Sequence, residues 1–288
     1  MICGSAPDGQ QPGDDHQSGS ADLHLHTEFS WDAPYGSMVE TCQRATEIGF
    51  RVLAFTDHAD HVEVGGGDFD VSGYLQLISD CRRRFPKLTI LSGVELGEPH
   101  IFPEWALQVT AQGSFDLVLG SVHSLPMDDG MLDCSQLPPM ESMPPADLMH
   151  KYFSEVLRLL QGPVEFSVLA HLEYPKRYRS AGWPPYSSSD YREEIQAVLE
   201  AAVRRGVVLE LNTTRGGDPQ RCLCPSPEVI SWWRQAGGRE VSIGSDAHRA
   251  LDLGSGLQLA RQVLDAAGFE PTQGRLPLWS PAVVGRPI

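Results

Sequence analysis

The sequence predicts a parallel α/β architecture, and three observations carry that prediction. Seven short apolar runs recur along the chain, each ending at a polar residue suited to metal binding. Helix-like stretches lie between most of them. The 288 residues suit one large domain, and a single α/β barrel of roughly 250 residues is a common solution at that size. Short runs rich in Val, Leu and Ile read as buried strands. Their alternation with helices favours a parallel sheet.

The elements follow in order. Residues 1–20 are rich in Gly, Ser, Gln, Pro and Asp and read as a disordered tail, with the domain running over 21–288. The first strand, 21–26, carries Asp22, His24 and His26. Ser37-Met38-Val39-Glu40 has the form of a capping box, opening a helix that Gly49 closes. Residues 51–55 lead into Thr56-Asp57-His58, and a Gly-rich loop covers 61–71. A helix over 72–85 halts near Pro86, and 88–94 leads into Glu95. Residues 105–112 form a short or weak helix before 115–120, which leads into Ser121-Val122-His123. A long loop, 125–144, precedes a helix over 145–160 with Leu148, Tyr152, Val156 and Leu159 on one face. Residues 166–170 lead into His171, a helix over 190–205 stops at Gly206, and 207–211 lead into Asn212. Pro227 suits the first turn of a helix over 226–236. Residues 241–244 lead into Ser245-Asp246-Ala247-His248, and a last helix over 256–267 ends at Gly268.

Composition narrows the function classes. Hydrophobic residues make up 41%, enough for a sizeable core. The net charge of −16 repels phosphate backbones at long range. It argues against long nucleic acid, yet a small anionic substrate can enter a locally positive pocket. No apolar run nears the roughly 18 residues of a membrane helix, and no secretory signal opens the chain. The expectation is a cytoplasmic protein without a membrane partner. The six cysteines form no CxxC pair, and Cys222-Leu223-Cys224 lacks a second Cys or His pair at zinc-finger spacing.

In a parallel barrel, the residues just past the strand ends converge on one mouth. Those positions hold His24, His26, His58, Glu95, His123, His171, Asp246 and His248. Alternation along a strand puts His24 and His26 on one face, and the same geometry can pair Asp246 with His248. Taken singly, each has a bland reading: a surface HxH, a satisfied core histidine, a capping carboxylate. Taken jointly they do not, because six of the ten histidines fall at strand ends. Among the rest, His16 falls in the tail, His150 reads as solvated on a helix, and His61 and His100 lie near ligand segments. Trp232 and Trp233 read as packing, and Met127, Met131, Met140, Met143 and Met149 as filler. Imidazole and carboxylate without thiolate suits Zn, Mn or Fe(II). So many ligands imply two or three ions sharing a carboxylate, an arrangement that favours phosphate-ester hydrolysis.

The order HxH, TDH, VE, VH, AH and SDAH resembles the PHP (polymerase and histidinol phosphatase) family, from about residue 21 to 268. The resemblance implies a distorted TIM-like (β/α)7 barrel with a trinuclear metal centre at the C-terminal mouth of the strands. It implies one ion on His24, His26, Glu95 and Asp246. Glu95 would bridge to a second ion on His123 and His171. A third would sit on Asp32, His58 and His248, with Asp32 placed by its spacing after HxH. Asp57 would support a ligand or donate a proton to the leaving group, and Asp246 and His248 join it as candidate catalytic residues. Gly93-Val94-Glu95, Ala170 through Tyr178, Glu210-Leu211-Asn212-Thr213 and Gly244 through Arg249 are most similar to the histidinol-phosphatase branch. That branch cleaves histidinol phosphate in histidine biosynthesis. Arg177, Arg215 and Arg249 follow strand ends and are candidates to clamp the phosphate. The competing readings are a PHP phosphodiesterase or exonuclease on nucleotides or short oligonucleotides, a non-catalytic metal-binding PHP module, and an amidohydrolase. Oligomeric state is left open.

Overall fold

Each apolar run folds as a strand because both faces of that strand can be buried. In the computed structural model, which describes residues 20–64, 66–137, 143–179, 182–214, 223–272 and 276–281, the strands of the first half are β1 (Ser20–Leu25), β2 (Phe50–Phe55), β3 (His58–Ala59), β4 (Thr89–Gly97), β5 (Leu117–Ser121), β6 (Ser124–Met127) and β7 (Gly130–Asp133). The second half adds β8 (Val168–Leu169), β9 (Val208–Asn212), β10 (Val241–Gly244), β11 (Phe269–Pro271) and β12 (Trp279–Pro281). Strands β1, β2, β4, β5, β8, β9 and β10 pair in that order, all parallel. These are the seven predicted runs. The first edge meets the last at the mouth, where Leu25 bridges Ala247 in parallel. The Asp246 N–H donates to His24 O at 2.9 Å and the His26 N–H to Ala247 O at 3.0 Å. The curled sheet is thus the TIM-like α/β arrangement expected. The tail over 1–19 lies outside the described residues.

The helices obey the local signals. Helix α1 (Met38–Ile48) starts on Ser37, whose hydroxyl accepts from the Glu40 N–H, and ends at Gly49 with φ 85°. Helix α2 is Val71–Arg84, α3 Pro103–Ala111 and α4 Pro145–Gln161. The predicted face of α4 is buried at Leu148, Tyr152, Val156 and Leu159. Helix α5 (Arg192–Arg205) begins two residues later than predicted, because a 3-10 turn, Ser188–Tyr191, precedes it. Helix α6 (Pro227–Gln235) has Pro227 in its first turn, and α7 (Leu257–Ala267) ends at Gly268. Trp232 and Trp233 are buried, as packing residues should be.

The sequence misses two features. The 125–144 segment is not an irregular loop at its start: Ser124–Met127 and Gly130–Asp133 form an antiparallel hairpin. Pro126 lies within it and hides the strand pattern, since proline is confined to edges of this kind. The C-terminal strands β11 and β12 pair antiparallel, and Trp279 pairs with Val241 of β10. They therefore occupy the edge of β10 that a regular barrel would give to β1 along its whole length. That distorts the barrel and leaves the backbone hydrogen bonds between β1 and the chain after β10 at the mouth. Residues 138–142 of the long loop lie outside the described set.

Two apolar clusters lie under the helices, one around Tyr152, Leu211 and Ile230, the other around Leu25, Phe55 and Ile78. A third, with Leu23, Ala54, Leu91, Leu119 and Val168, contains no helix residue and packs among the strands themselves. Among the described residues no helix is long and apolar enough to cross a membrane.

Candidate metal centre

All nine ligand candidates named from sequence meet at the mouth. Glu95, with no exposed surface, stands at the middle. Its Oε2 lies 3.1 Å from His24 Nε2 and 3.5 Å from His26 Nε2. Its Oε1 lies 2.6 Å from His171 Nε2 and 3.2 Å from His123 Nε2. Asp246 Oδ1 is 3.2 Å from His26 Nε2. On the outer side, Asp32 Oδ2 is 2.9 Å from His248 Nε2 and 3.6 Å from His58 Nε2. The His26 ring stacks on His58 at 4.2 Å.

Backbone strain turns two of these residues inward. Asp246 has φ 56° and His171 φ 22°, values that a residue with a Cβ rarely adopts. Gly244 removes an obstacle. A Cβ there would stand 2.2 Å from the His24 Cβ and 2.7 Å from Glu210 Oε1, so only glycine lets β10 pass His24.

Three of the histidines share one orientation. His24 Nδ1 meets Glu210 Oε1 at 2.6 Å, His26 Nδ1 meets Ser30 Oγ at 3.0 Å, and His248 Nδ1 meets the Asp246 carbonyl at 2.9 Å. A proton on each Nδ1 leaves the Nε2 lone pair facing inward, as in carboxylate–histidine–metal arrangements. Nε2 atoms then face one another at 3.0 Å for His24 and His26, and at 3.3 Å for His123 and His171. Two lone pairs at that separation repel unless a proton or a cation lies between them. Donors about 3 Å apart suit an ion with bonds of about 2.0–2.2 Å. Sets of three donors within 4.8 Å of one another include His24, His26 and Asp246; His24, Glu95 and His171; and His26, His58 and His248. The residues fit divalent ions.

Electrostatics agrees. Burial opposes charge on His24, but Glu210, Glu95 and Asp246 outweigh it and hold its pKa well above the usual value. Burial likewise opposes charge on His58, and Asp60, Glu95 and Asp32 still push it up to about 9. His26 goes the other way, down to about 3, through burial and the nearby His58 and His248. Burial would raise Glu95 and Asp246, yet the histidines around them hold both well below the carboxylate range. At His24 and His58 the raised pKa values favour protons on the ring nitrogens when no ion is bound. A histidine whose folded pKa is raised adds stability that is complete below its unfolded value, about 6.5, and lost as pH rises through the folded one. The chelated protein should thus melt at a lower temperature at pH 9.5 than at pH 6.5. Protonated imidazole cannot ligate, so the gain in Tm on adding zinc should grow over the same interval. Thermal melts with and without chelator, across that range, check both signs.

Several supporting residues escaped the sequence reading. Glu210 also accepts from the His171 N–H at 2.8 Å. It lies two positions before Asn212 on β9, so strand alternation alone points it toward the same face. Asp60 approaches His58 and His123, and a two-residue step from His58 was its only signal.

Asp57 is enclosed. Its oxygens accept from the Thr27 N–H at 2.6 Å, the Thr27 hydroxyl at 2.9 Å and the Ser30 hydroxyl at 2.7 Å. Of the two roles left open for it, this geometry favours supporting His26 through Ser30.

The arginines divide. Arg177 is buried beside the ligands, donating to Asn212 Oδ1 at 2.6 Å and Asp246 Oδ2 at 3.3 Å. Arg249 is not in the centre: its side chain is 55% exposed and paired with Asp252 at 2.8 Å. The chain turns into a 3-10 segment, Ala250–Asp252, immediately after it, which carries the side chain outward. Arg215 lies outside the described residues, as does Cys222, while Cys224 is buried with its thiol toward the Glu173 carbonyl. His61 stacks on Phe102 at 4.3 Å, His100 pairs with Glu155 at 3.0 Å and His150 with Glu194 at 2.6 Å, all three apart from the ligand cluster.

Comparison with known proteins places this geometry. A "Probable histidinol-phosphatase" of Clostridium acetobutylicum is 29% identical over 252 residues, 87% of this chain and 94% of the relative. One of Thermotoga maritima is 28% identical, covering 86% and 93%. The histidinol-phosphatase of Lactococcus lactis is 27% identical, covering 86% and 91%. The solved structure of histidinol phosphate phosphatase from that organism, complexed with zinc, L-histidinol and phosphate, superposes with a TM-score of 0.78 at 23% identity, over 90% of this chain and 98% of that one. The profile of the PHP domain matches residues 22–214, most of the described barrel including seven of the nine ligand candidates, and the chain belongs to the PHP family.

Proposed function

We propose that the chain is a metal-dependent phosphomonoesterase that hydrolyses histidinol phosphate to histidinol and phosphate. The observation that carries the chemistry is Glu95, a buried carboxylate with one oxygen toward His24 and His26 and the other toward His123 and His171. The substrate is supported by likeness to histidinol-phosphatases over 86–87% of the chain.

His24, His26, Glu95 and Asp246 would hold one ion, Glu95, His123 and His171 a second, and Asp32, His58 and His248 a third. Zinc is the first choice, on the precedent of the Lactococcus lactis structure, with Mn or Fe as alternatives. Such ions supply an acidified water nucleophile and offset charge on the phosphoryl oxygens. The remaining work falls to the protein. Arg177 binds a phosphoryl oxygen and is held in place by Asn212 and Asp246. Asp246 turns Oδ1 toward His26 and Oδ2 toward Arg177 and Thr214, so it ties the clamp to the metal cluster. Glu210 and Ser30 fix the tautomers of His24 and His26. Arg215 remains a candidate second clamp, and the expected setting is the cytoplasm.

The test is phosphate release by Zn- and Mn-loaded protein from histidinol phosphate, an aryl phosphate, a nucleotide diester and a short oligonucleotide. Histidinol phosphate should be turned over fastest. Cleavage of the diester or oligonucleotide, with histidinol phosphate left intact, overturns the substrate and favours the phosphodiesterase reading.

A further inference from the structure

We propose that Asp60 is a positioning residue shared by His58 and His123, ligands of two different ions, and that it makes those two ions load together. The proposal rests on the three-ion assignment above. Asp60 is buried, 3% exposed, at the end of the short β3 segment. Its Oδ2 lies 3.5 Å from His58 Nδ1 and its Oδ1 lies 3.6 Å from His123 Nδ1. The Trp31 indole N–H donates to Oδ2 at 3.0 Å.

The shared orientation makes these distances meaningful. His24, His26 and His248 each direct Nδ1 at an acceptor and Nε2 at the centre. His58 and His123 also turn Nε2 inward, to Asp32 and to Glu95 respectively. Their Nδ1 atoms and Asp60 Oδ1 are buried and make no hydrogen bond among the described residues. His58 Nδ1 also stands 3.3 Å from Glu95 Oε2, an oxygen it would share with His24 and His26. One carboxylate with two oxygens thus faces both Nδ1 atoms, and it is the only carboxylate within 4 Å of His123 Nδ1 among the described residues. Room for it is built in: a Cβ at Gly97 would stand 2.0 Å from Asp60 Oδ1.

Coupling follows from the sharing. With His58 holding an ion through Nε2, its ring proton would sit on Nδ1, facing Asp60. That orders the carboxylate and so orients His123 for its own ion. By thermodynamic reciprocity, an ion on His123 favours the ion on His58 equally. The ion held through His24, His26 and Asp246 has its own supports in Glu210 and Ser30 and meets the His123 ion only through Glu95, a link that Asp60 does not touch.

The experiment titrates zinc into stripped protein against a chromophoric chelator and counts bound zinc by mass spectrometry. The wild type should take up two ions in one cooperative phase, and the emission of Trp31, obtained by difference from Trp31→Phe, should change in that phase. Asp60→Asn should weaken both of those ions by roughly 10–100-fold each and remove the cooperativity between them, with the smallest change at the remaining ion. Trp31→Phe keeps the carboxylate and should keep the full complement. If Asp60→Asn binds every ion as the wild type does, or loses only one, the proposal fails. If that variant does not fold, judged by near-ultraviolet circular dichroism, the wild-type titration decides, and independent uptake of the two ions overturns it. A wild type that holds a single ion overturns the metal assignment itself, and this proposal with it.

Discussion

Replacing Glu95 with Gln should lower kcat by about a thousandfold and strip at least one ion from the protein. The substitution keeps the shape of the side chain and removes its charge. Both carboxylate oxygens are in use, Oε2 toward His24 and His26, Oε1 toward His123 and His171. An amide offers one oxygen, so it cannot join the two histidine pairs through acceptors. Its NH2 group would also point at an imidazole Nε2 that needs a cation or a proton. The same carboxylate is the counter-charge that helps hold the pKa values of His24, His58 and His123 up. Without it those histidines lose protons more readily, yet the ions that would replace the protons have lost their bridge. Zinc counted per chain, beside kcat on histidinol phosphate, separates the two effects. Wild-type turnover with a full metal complement would show that Glu95 does not bridge.

The histidines of this centre were legible in sequence because their placement depends on local rules. Alternation alone puts His24 and His26 on one face, and each other ligand follows an apolar run that could only be a strand. Supporting residues were harder to see, because their roles depend on register between strands distant in sequence. Glu210 serves His24 only because β10 passes between them with a glycine at 244. Asp60 matters only because His123 arrives from β5 on the far side of β4. Arg249 shows how short the reach of a strand end is. A position after a strand end faces the mouth only until the chain turns, and here one further residue is enough for the chain to turn away and for Asp252 to capture the side chain. The C-terminal strands are hard to read because they are three residues each, end in proline, and rely on pairing with each other and with the edge of β10.

Arg177→Lys should reduce kcat/KM by about 10²- to 10³-fold while leaving the metal content unchanged. The guanidinium is 6% exposed, and it uses two nitrogens on two acceptors, Asn212 and Asp246. Burial opposes its charge, but the Asp246 carboxylate beside it favours the charged form. An ammonium is a point donor that cannot hold both acceptors and still present a flat face to a phosphoryl group. The lysine should therefore retain charge near the substrate and lose its orientation. Inorganic phosphate, as a competitive inhibitor, should bind correspondingly less well, a readout independent of the chemical step. Arg249→Ala is the matched control. Its side chain is exposed and spent on Asp252, so kcat/KM should stay within about twofold of wild type. A strong loss in Arg249→Ala, with Arg177→Lys unaffected, would move the clamp to the other side of the mouth and detach Asp246 from it.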